Sequence, residues 1–304
     1  MYKLIALITG VLISIMISMN GGLTQQYGVF PAAVIVHVVG VVFALLVCII
    51  KKEKLFSRSG AAWWFYLGGV IGVLTTVFNN FAFGRISMTS IVALGLLGQT
   101  VTSILIDATG WFGMTRRPFR KSTLIGLVFC LAGIGIMLDH TIAEATVAVW
   151  FSLSAGISVV VSRSINARLA ERVGALRGSF INHLVGLPVT ILLVLLVSGS
   201  LAPPSTASGF RVWIYLGGVL GVAAVLIFNV IVPKVSQFHL TVLTFVGQVF
   251  TGVVLDLATK GIVVDASFIG GLVITGGIAL NLAIEYIAFR RSNKRRNHSN
   301  QGSL

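Results

Sequence analysis

The chain has 304 residues, of which 56% are hydrophobic and only 10% are charged, and it carries a formal net charge of +14. A soluble domain typically contains about a quarter charged residues, so this composition excludes an ordinary soluble protein and indicates a membrane protein. The basic residues are confined to short segments between long apolar runs, which is typical of membrane topology and argues against a nucleic-acid-binding surface.

Ten apolar segments are predicted to cross the membrane as helices, because about 20 residues at ~1.5 Å per residue span ~30 Å of hydrocarbon. Lys3 before an apolar run is also typical of a signal peptide, but no small-residue cleavage pattern follows, so the first segment is retained as a span. The sequence therefore predicts an all-α integral membrane protein with ten transmembrane helices. The predicted spans are approximately 4–20, 32–50, 63–83, 87–108, 122–138, 146–165, 179–198, 212–232, 236–258 and 267–289.

The second half of the chain repeats the first half. Residues 64–107 align without a gap with residues 213–256, and 15 of these 44 positions are identical. The first two spans are repeated as well, at an offset that differs by three residues. The matched pairs in those spans include Gly10/Gly156, Asn20/Asn166, Gly28/Gly174, His37/His183 and Gly40/Gly186.

Each repeat contains five spans, and because five is an odd number, the second repeat must enter the membrane in the opposite orientation. Inverted repeats are a recurring plan of secondary transporters, which place the substrate site at the repeat interface near the midplane. We therefore predict a first five-helix repeat at 1–140, a second, inverted five-helix repeat at 141–290, and a basic cytoplasmic tail at 291–304.

The basic residues between the predicted spans orient the chain. One side of the membrane carries 19 of the Lys and Arg residues, with the 163–177 segment counted as a loop on that side, and the other side carries 3. Cytoplasmic loops carry an excess of Lys and Arg. Both termini are therefore predicted to lie in the cytoplasm.

The repeated segments also carry the motifs of a known family. They begin with WFYLGGVIGV at Trp64 and WIYLGGVLGV at Trp213, and the first continues to GQTVTSILID at Gly98. Together with SINARLAERVGALRGSFINHLVGL in the second repeat, these motifs resemble the drug/metabolite transporter superfamily, specifically its branch of bacterial inner-membrane exporters built from five-helix units. The resemblance covers nearly the whole chain before Arg290, although residues 21–24 of the first repeat depart from the equivalent 167–170.

The resemblance implies a fused ten-helix exporter, because members of that branch use either two oppositely oriented five-helix chains or one fused chain. It implies multi-pass insertion in the bacterial inner membrane. The implied partners are the lipid bilayer and a small-molecule substrate, with a homodimer left open.

A pair of glutamines and a pair of aspartates occupy equivalent places in the two repeats. Gln99 and Gln248 are predicted near mid-membrane, where they are candidates for substrate binding. Asp107 and Asp256 follow them by eight residues, about 12 Å along a helix, and are candidates for gating or proton coupling. The alternative is that each aspartate ends its helix in the interface and binds loop amides.

Two further polar pairs are related by the repeat. His37 and His183 are candidates for proton coupling because histidine exchanges protons near neutral pH, but an interhelical hydrogen bond is the simpler interpretation. Asn80 and Asn229 are candidates for substrate binding, and equally for helix capping. A third pair, Asn20/Asn166, is predicted to end its helices.

Several kinds of chemistry have no support in the sequence. Spans 1 and 6 contain no Asp or Glu, although small multidrug exporters carry their shared proton and cation carboxylate there. No Walker sequence, phosphate loop or zinc-spaced set occurs, so no enzyme activity, cofactor or metal site is predicted. Cys48 and Cys130 are interpreted as small core hydrophobes.

These observations predict a secondary transporter that exports a small organic metabolite or drug by alternating access, with proton coupling left open. The alternative is an uncoupled channel or facilitator, which would need no titratable group. A membrane enzyme acting on lipid is disfavoured because no nucleophile–base pair emerges from the sequence.

Overall fold

The structure is a computed structural model that describes residues 1–55, 60–82, 85–86, 88–117, 121–138, 145–197, 212–260, 266, 268–277, 279–281, 283–284 and 287. Long helices dominate these residues, and short 3₁₀ turns at Trp63–Tyr66 and Val212–Leu216 precede the third and eighth. The helices are α1 (Tyr2–Tyr27), α2 (Val29–Ile50), α3 (Leu67–Ala82), α4 (Met88–Thr109), α5 (Lys121–Met137), α6 (Thr146–Val173), α7 (Ala175–Val197), α8 (Gly217–Ile231), α9 (Gln237–Lys260) and α10 (Phe268–Asn281, apart from residue 278).

Most of these helices have the length and composition of membrane spans. Within the described chain, seven segments are long and apolar enough to cross a bilayer, and α5 and α10 contain shorter apolar helices. Large apolar side chains such as Leu46 and Leu196 are exposed on the outside of the bundle, where a membrane protein contacts lipid. The prediction of an all-α integral membrane protein is confirmed.

Equivalent helices of the two repeats have equivalent neighbours. Helix α3 packs on α6, and its counterpart α8 packs on α1; likewise α4 packs on α6 and α9 packs on α1. Helix α2 pairs with its own counterpart α7, and α4 with its counterpart α9. This pattern is that of two inverted five-helix repeats around a pseudo-twofold axis, and the helices of the two repeats interleave.

Glycines allow the closest of these helix crossings, as small residues do in membrane bundles. A Cβ atom added to Gly10 of α1 would lie 2.0 Å from the carbonyl oxygen of Thr244 in α9. A Cβ added to Gly156, the repeat equivalent in α6, would lie 2.1 Å from the carbonyl oxygen of Gly95 in α4. The neighbouring atoms are backbone, so neither crossing has room for a side chain.

Two helices are longer than the sequence predicted. Helix α1 continues to Tyr27 and α6 continues to Val173, and only Gly28 and Gly174 separate each of them from the next helix. Both glycines have positive φ, 86° and 92°, which favours glycine and turns the chain sharply. The predicted ends near residues 20 and 165 are therefore wrong, because the polar residues there face the protein interior.

This correction changes the interpretation of three predicted features. Asn20 and Asn166 lie inside helices, so the predicted helix-ending role is wrong for both. The 163–177 segment is not a loop, since all but Gly174 of it is helical. Arg163 and Arg177 within that segment are buried in the bundle.

Candidate substrate cavity

A cavity of about 310 Å³ lies between the two repeats. Its described lining comes from α1–α4 and from their counterparts α6–α9, whereas α5 and α10 contribute none of the described lining residues. Many lining positions are equivalent in the two repeats, including His37/His183, Gly72/Gly221 and Asn80/Asn229. The cavity therefore lies where the inverted-repeat plan predicts the substrate site.

The two predicted glutamines line this cavity together. Gln99 comes from α4 and Gln248 from α9, and both side chains are only partly buried. Neither amide forms a hydrogen bond with another residue in the part of the chain that the structure describes. Each amide therefore retains a donor and an acceptor for a ligand.

The two predicted asparagines line the cavity and also form hydrogen bonds with the first residues of neighbouring helices. The Nδ2 of Asn80 donates to the carbonyl oxygen of Val29 at 3.2 Å, and the Nδ2 of Asn229 donates to that of Ala175 at 3.0 Å. These bonds connect the ends of α3 and α8 to the first residues of α2 and α7. The Oδ1 of Asn229 is buried and has no partner among the described residues.

The two histidines meet at the pseudo-twofold axis. Their ring centroids lie 5.8 Å apart, and each Nδ1 lies within hydrogen-bonding distance of a carbonyl oxygen in its own helix, Ala33 at 2.9 Å and Ser179 at 3.0 Å. A carbonyl oxygen only accepts, so each Nδ1 is the donor in these contacts, and no described residue forms a hydrogen bond with either Nε2. The expected interhelical hydrogen bond is wrong: within the described residues, the two helices meet through the rings themselves.

Glycines make room for both histidine rings. A Cβ atom at Gly40 would lie 2.4 Å from Cδ2 of His183, and one at Gly186 would lie 2.7 Å from Cδ2 of His37. The matched pair Gly40/Gly186 in the sequence is therefore explained by the ring pair that it accommodates.

Asp107 lies outside the cavity lining and caps a neighbouring helix. Its Oδ1 accepts from the backbone N–H of Gln237 at 2.9 Å, and its Oδ2 accepts from that of Phe238 at 3.0 Å. These are the first two residues of α9, whose N–H groups have no partner inside the helix. The geometry matches the alternative of an amide-binding anchor. The side chain of Asp256 lies outside the described part of the structure.

Arg163 is a cavity residue that the sequence interpretation placed in a loop. Its Nε donates to Oε1 of Gln237 at 2.8 Å, and its Nη2 donates to Oγ1 of Thr241 at 2.6 Å and to Oγ of Ser103 at 3.2 Å. The side chain is only 4% exposed and lines the cavity. The sequence contained a signal for it, since the repeat match from Gly156 to Asn166 runs through this position.

Gln237 joins Asp107 to Arg163. Its N–H donates to the aspartate, its carbonyl oxygen accepts from Nη2 of Arg163 at 3.2 Å, and its Nε2 donates to Oγ of Ser164 at 3.0 Å. Every polar group of this residue is therefore used, and α4, α6 and α9 are connected at one end of the bundle.

Comparison with known proteins agrees with this architecture. A family model described as "Putative inner membrane exporter, YdcZ" matches residues 1–136 and again residues 147–280. One solved crystal structure is 15% identical, covers 93% of this chain and 96% of its own, and superposes with a TM-score of 0.68, which shows the shared fold. No curated protein matches the chain. Because the family model matches each five-helix repeat once, the chain belongs to this family of inner membrane exporters, in the drug/metabolite transporter superfamily, as a fused pair of units.

Proposed function

We propose that the chain is a secondary transporter that exports a small organic solute by alternating access, and that the cavity is its substrate site. The observation that carries this proposal is the convergence of Gln99 and Gln248, from equivalent positions of inverted repeats, on one cavity. Alternating access requires a central site that two related halves close in turn. Asn80 and Asn229 are proposed to contribute further hydrogen-bonding groups to this site.

Transport in proteoliposomes tests this proposal, with a solute identified by a thermal-shift screen of metabolites. A carrier gives saturable flux, whereas non-saturable flux would support the alternative of a channel. Gln99→Ala and Gln248→Ala are each expected to weaken solute affinity by about tenfold, because each removes a donor and an acceptor from a low-dielectric site. Gln25→Ala, at an exposed position of α1, is the matched control. Unchanged affinity in both cavity variants would place the site elsewhere.

Proton coupling is proposed for His37 and His183. Both line the cavity, and their ring centroids are 5.8 Å apart. If both rings gained a proton, two positive charges would lie at this separation and repel strongly away from bulk water. The pair therefore gains one additional proton more readily than two. A group that gains one proton beside the substrate is what coupling to a pH gradient requires.

Both termini are proposed to lie in the cytoplasm, in a bacterial inner membrane. Single cysteines at two exposed positions test this: Gln25 at the end of α1 and Lys54 after α2. An impermeant thiol reagent is expected to label Gln25→Cys in intact cells and to leave Lys54→Cys unlabelled. The native Cys48 and Cys130 are buried, so the labelling of the unsubstituted protein is the background that is subtracted. The reverse labelling pattern would contradict the orientation.

A further inference from the structure

At seven equivalent pairs of cavity positions only one member of the pair is polar, and in six of these pairs the polar member lies on the same side of the cavity. These six polar members form what we call the polar wall, which consists of Thr75, Thr76, Asn79, Ser162, Arg163 and Asn182. Their repeat counterparts form the apolar wall, which consists of Ala224, Val225, Phe228, Met16, Ile17 and Val36.

Helix packing keeps the members of each wall together. The polar wall comes from α3, α6 and α7, and α3 packs on both of the others. The apolar wall comes from α8, α1 and α2, and α8 packs on both of those. The seventh pair, Gly95/Thr244, is the exception, because Thr244 lies on α9, which packs on α1 of the apolar wall. Its hydroxyl donates to the carbonyl oxygen of Leu240 in its own helix at 2.6 Å.

Arg163 gives the polar wall an uncompensated donor. While its Nε and Nη2 are bonded, its Nη1 is buried and has no partner among the described residues. A buried charged donor without a partner costs free energy unless a ligand accepts a hydrogen bond from it. None of the described lining residues is Asp or Glu, so the described lining favours an anion over a cation.

The nearby carboxylate of Asp107 does not accept a hydrogen bond from Nη1 of Arg163. Asp107 directs both of its oxygens to the backbone N–H groups of Gln237 and Phe238. No carboxylate oxygen forms an ion pair with Arg163 in the part of the chain described here. The guanidinium carbon also lies 5.8 Å from the ring centroid of Phe228, so the polar and apolar walls meet beside this donor.

From these contacts we infer that the transported solute is an amphipathic organic carboxylate. Its carboxylate accepts a hydrogen bond from Nη1 of Arg163, and its apolar part lies against the apolar wall. This inference rests on the proposed transport function and names the substrate class of the same site. A guanidinium nitrogen that has no partner among the described residues suits a singly charged carboxylate, which accepts a strong, charge-assisted hydrogen bond from it.

Calorimetric titration of the purified protein with four matched probes tests the inference. Benzoate has both parts of the inferred solute, benzamide lacks the charge, acetate lacks the apolar part, and benzylammonium reverses the charge. Benzoate is expected to bind at least about tenfold more tightly than each of the others, the scale of a charge-assisted hydrogen bond. Equal binding of benzoate and benzamide, or no binding of benzoate, would overturn the inference.

Substitutions in each wall test which part of the solute that wall binds. Arg163→Gln is expected to remove the preference for benzoate over benzamide, whereas Arg168→Gln, on the same helix but outside the cavity, is expected to keep it. Met16→Gln is expected to reduce the preference for benzoate over acetate. A preference that survives Arg163→Gln would contradict the assignment. If that variant does not fold, the comparison of benzoate with benzamide on the wild type decides alone.

The same probes separate this inference from the transport proposal. Arg163-dependent benzoate binding without saturable flux in proteoliposomes would support the carboxylate site and contradict export. Saturable flux of a neutral solute, with no preference for benzoate over benzamide in binding, would support the transport function and overturn the inference of a carboxylate substrate.

Discussion

Gly10→Ala is expected to destabilise the helical bundle, whereas Gly21→Ala in the same helix is expected to stabilise it or leave it unchanged. The Cβ at residue 10 would lie 2.0 Å from a backbone oxygen of α9, but a Cβ at residue 21 would meet nothing within 4 Å. Overpacking typically costs about 1–3 kcal/mol. An alanine without a clash instead gains up to about 1 kcal/mol in helix propensity.

Thermal unfolding of the purified protein in detergent measures both changes. Gly156→Ala repeats the experiment at the equivalent position of the second repeat, because its Cβ would clash with a backbone oxygen of α4 in the same way. We expect it to lower the free energy of unfolding by a similar amount. Equal unfolding temperatures for the variants at 10 and 21 would show that the α1–α9 crossing is not as close as described.

Replacing both histidines with glutamine is expected to abolish the response of transport to a pH gradient. Glutamine keeps a polar side chain of similar reach but cannot gain a proton, so solute exchange is expected to continue. The measurement is flux in proteoliposomes with and without an imposed gradient, for His37→Gln combined with His183→Gln. A gradient response that persists in this double variant would exclude the ring pair as the coupling site.

Asp107→Asn is the matched control for the histidine experiment. The asparagine loses the charge and one of the two acceptors that bind the start of α9, so the free energy of unfolding is expected to fall by about 1 kcal/mol. The gradient response is expected to remain. If it disappears in a variant that folds normally, Asp107 carries the proton and the anchoring interpretation is wrong.

The helices and their repeat could be predicted because they follow from features of the chain itself. Apolar runs of sufficient length have few alternatives to a membrane helix, since lipid offers no partner for backbone N–H and C=O groups. The repeat register then relates Gln99 to Gln248 and His37 to His183, and inversion brings equivalent residues together at the interface.

The ends of α1 and α6 could not be predicted by the same argument. A polar or charged residue after an apolar run indicates the membrane surface only when water is its partner. Asn166 instead donates to Oδ1 of Asn182 at 2.7 Å, and Arg163 to groups of α4 and α9. These partners come from other helices, so the polar residues remain inside the bundle.

The sequence by itself determined the membrane class, the inverted five-helix repeats and the symmetric amide and histidine pairs, because composition, span length and internal repetition are properties of the linear chain. Only the tertiary structure decided that Asp107 caps α9 and that Arg163 lines the cavity with an Nη1 that has no partner among the described residues. The partners of Arg163 are 60 to 78 residues away along the chain, and those of Asp107 are 130 and 131 residues away. No local pattern encodes which distant donor or acceptor a buried charge will meet, because helix packing sets that choice.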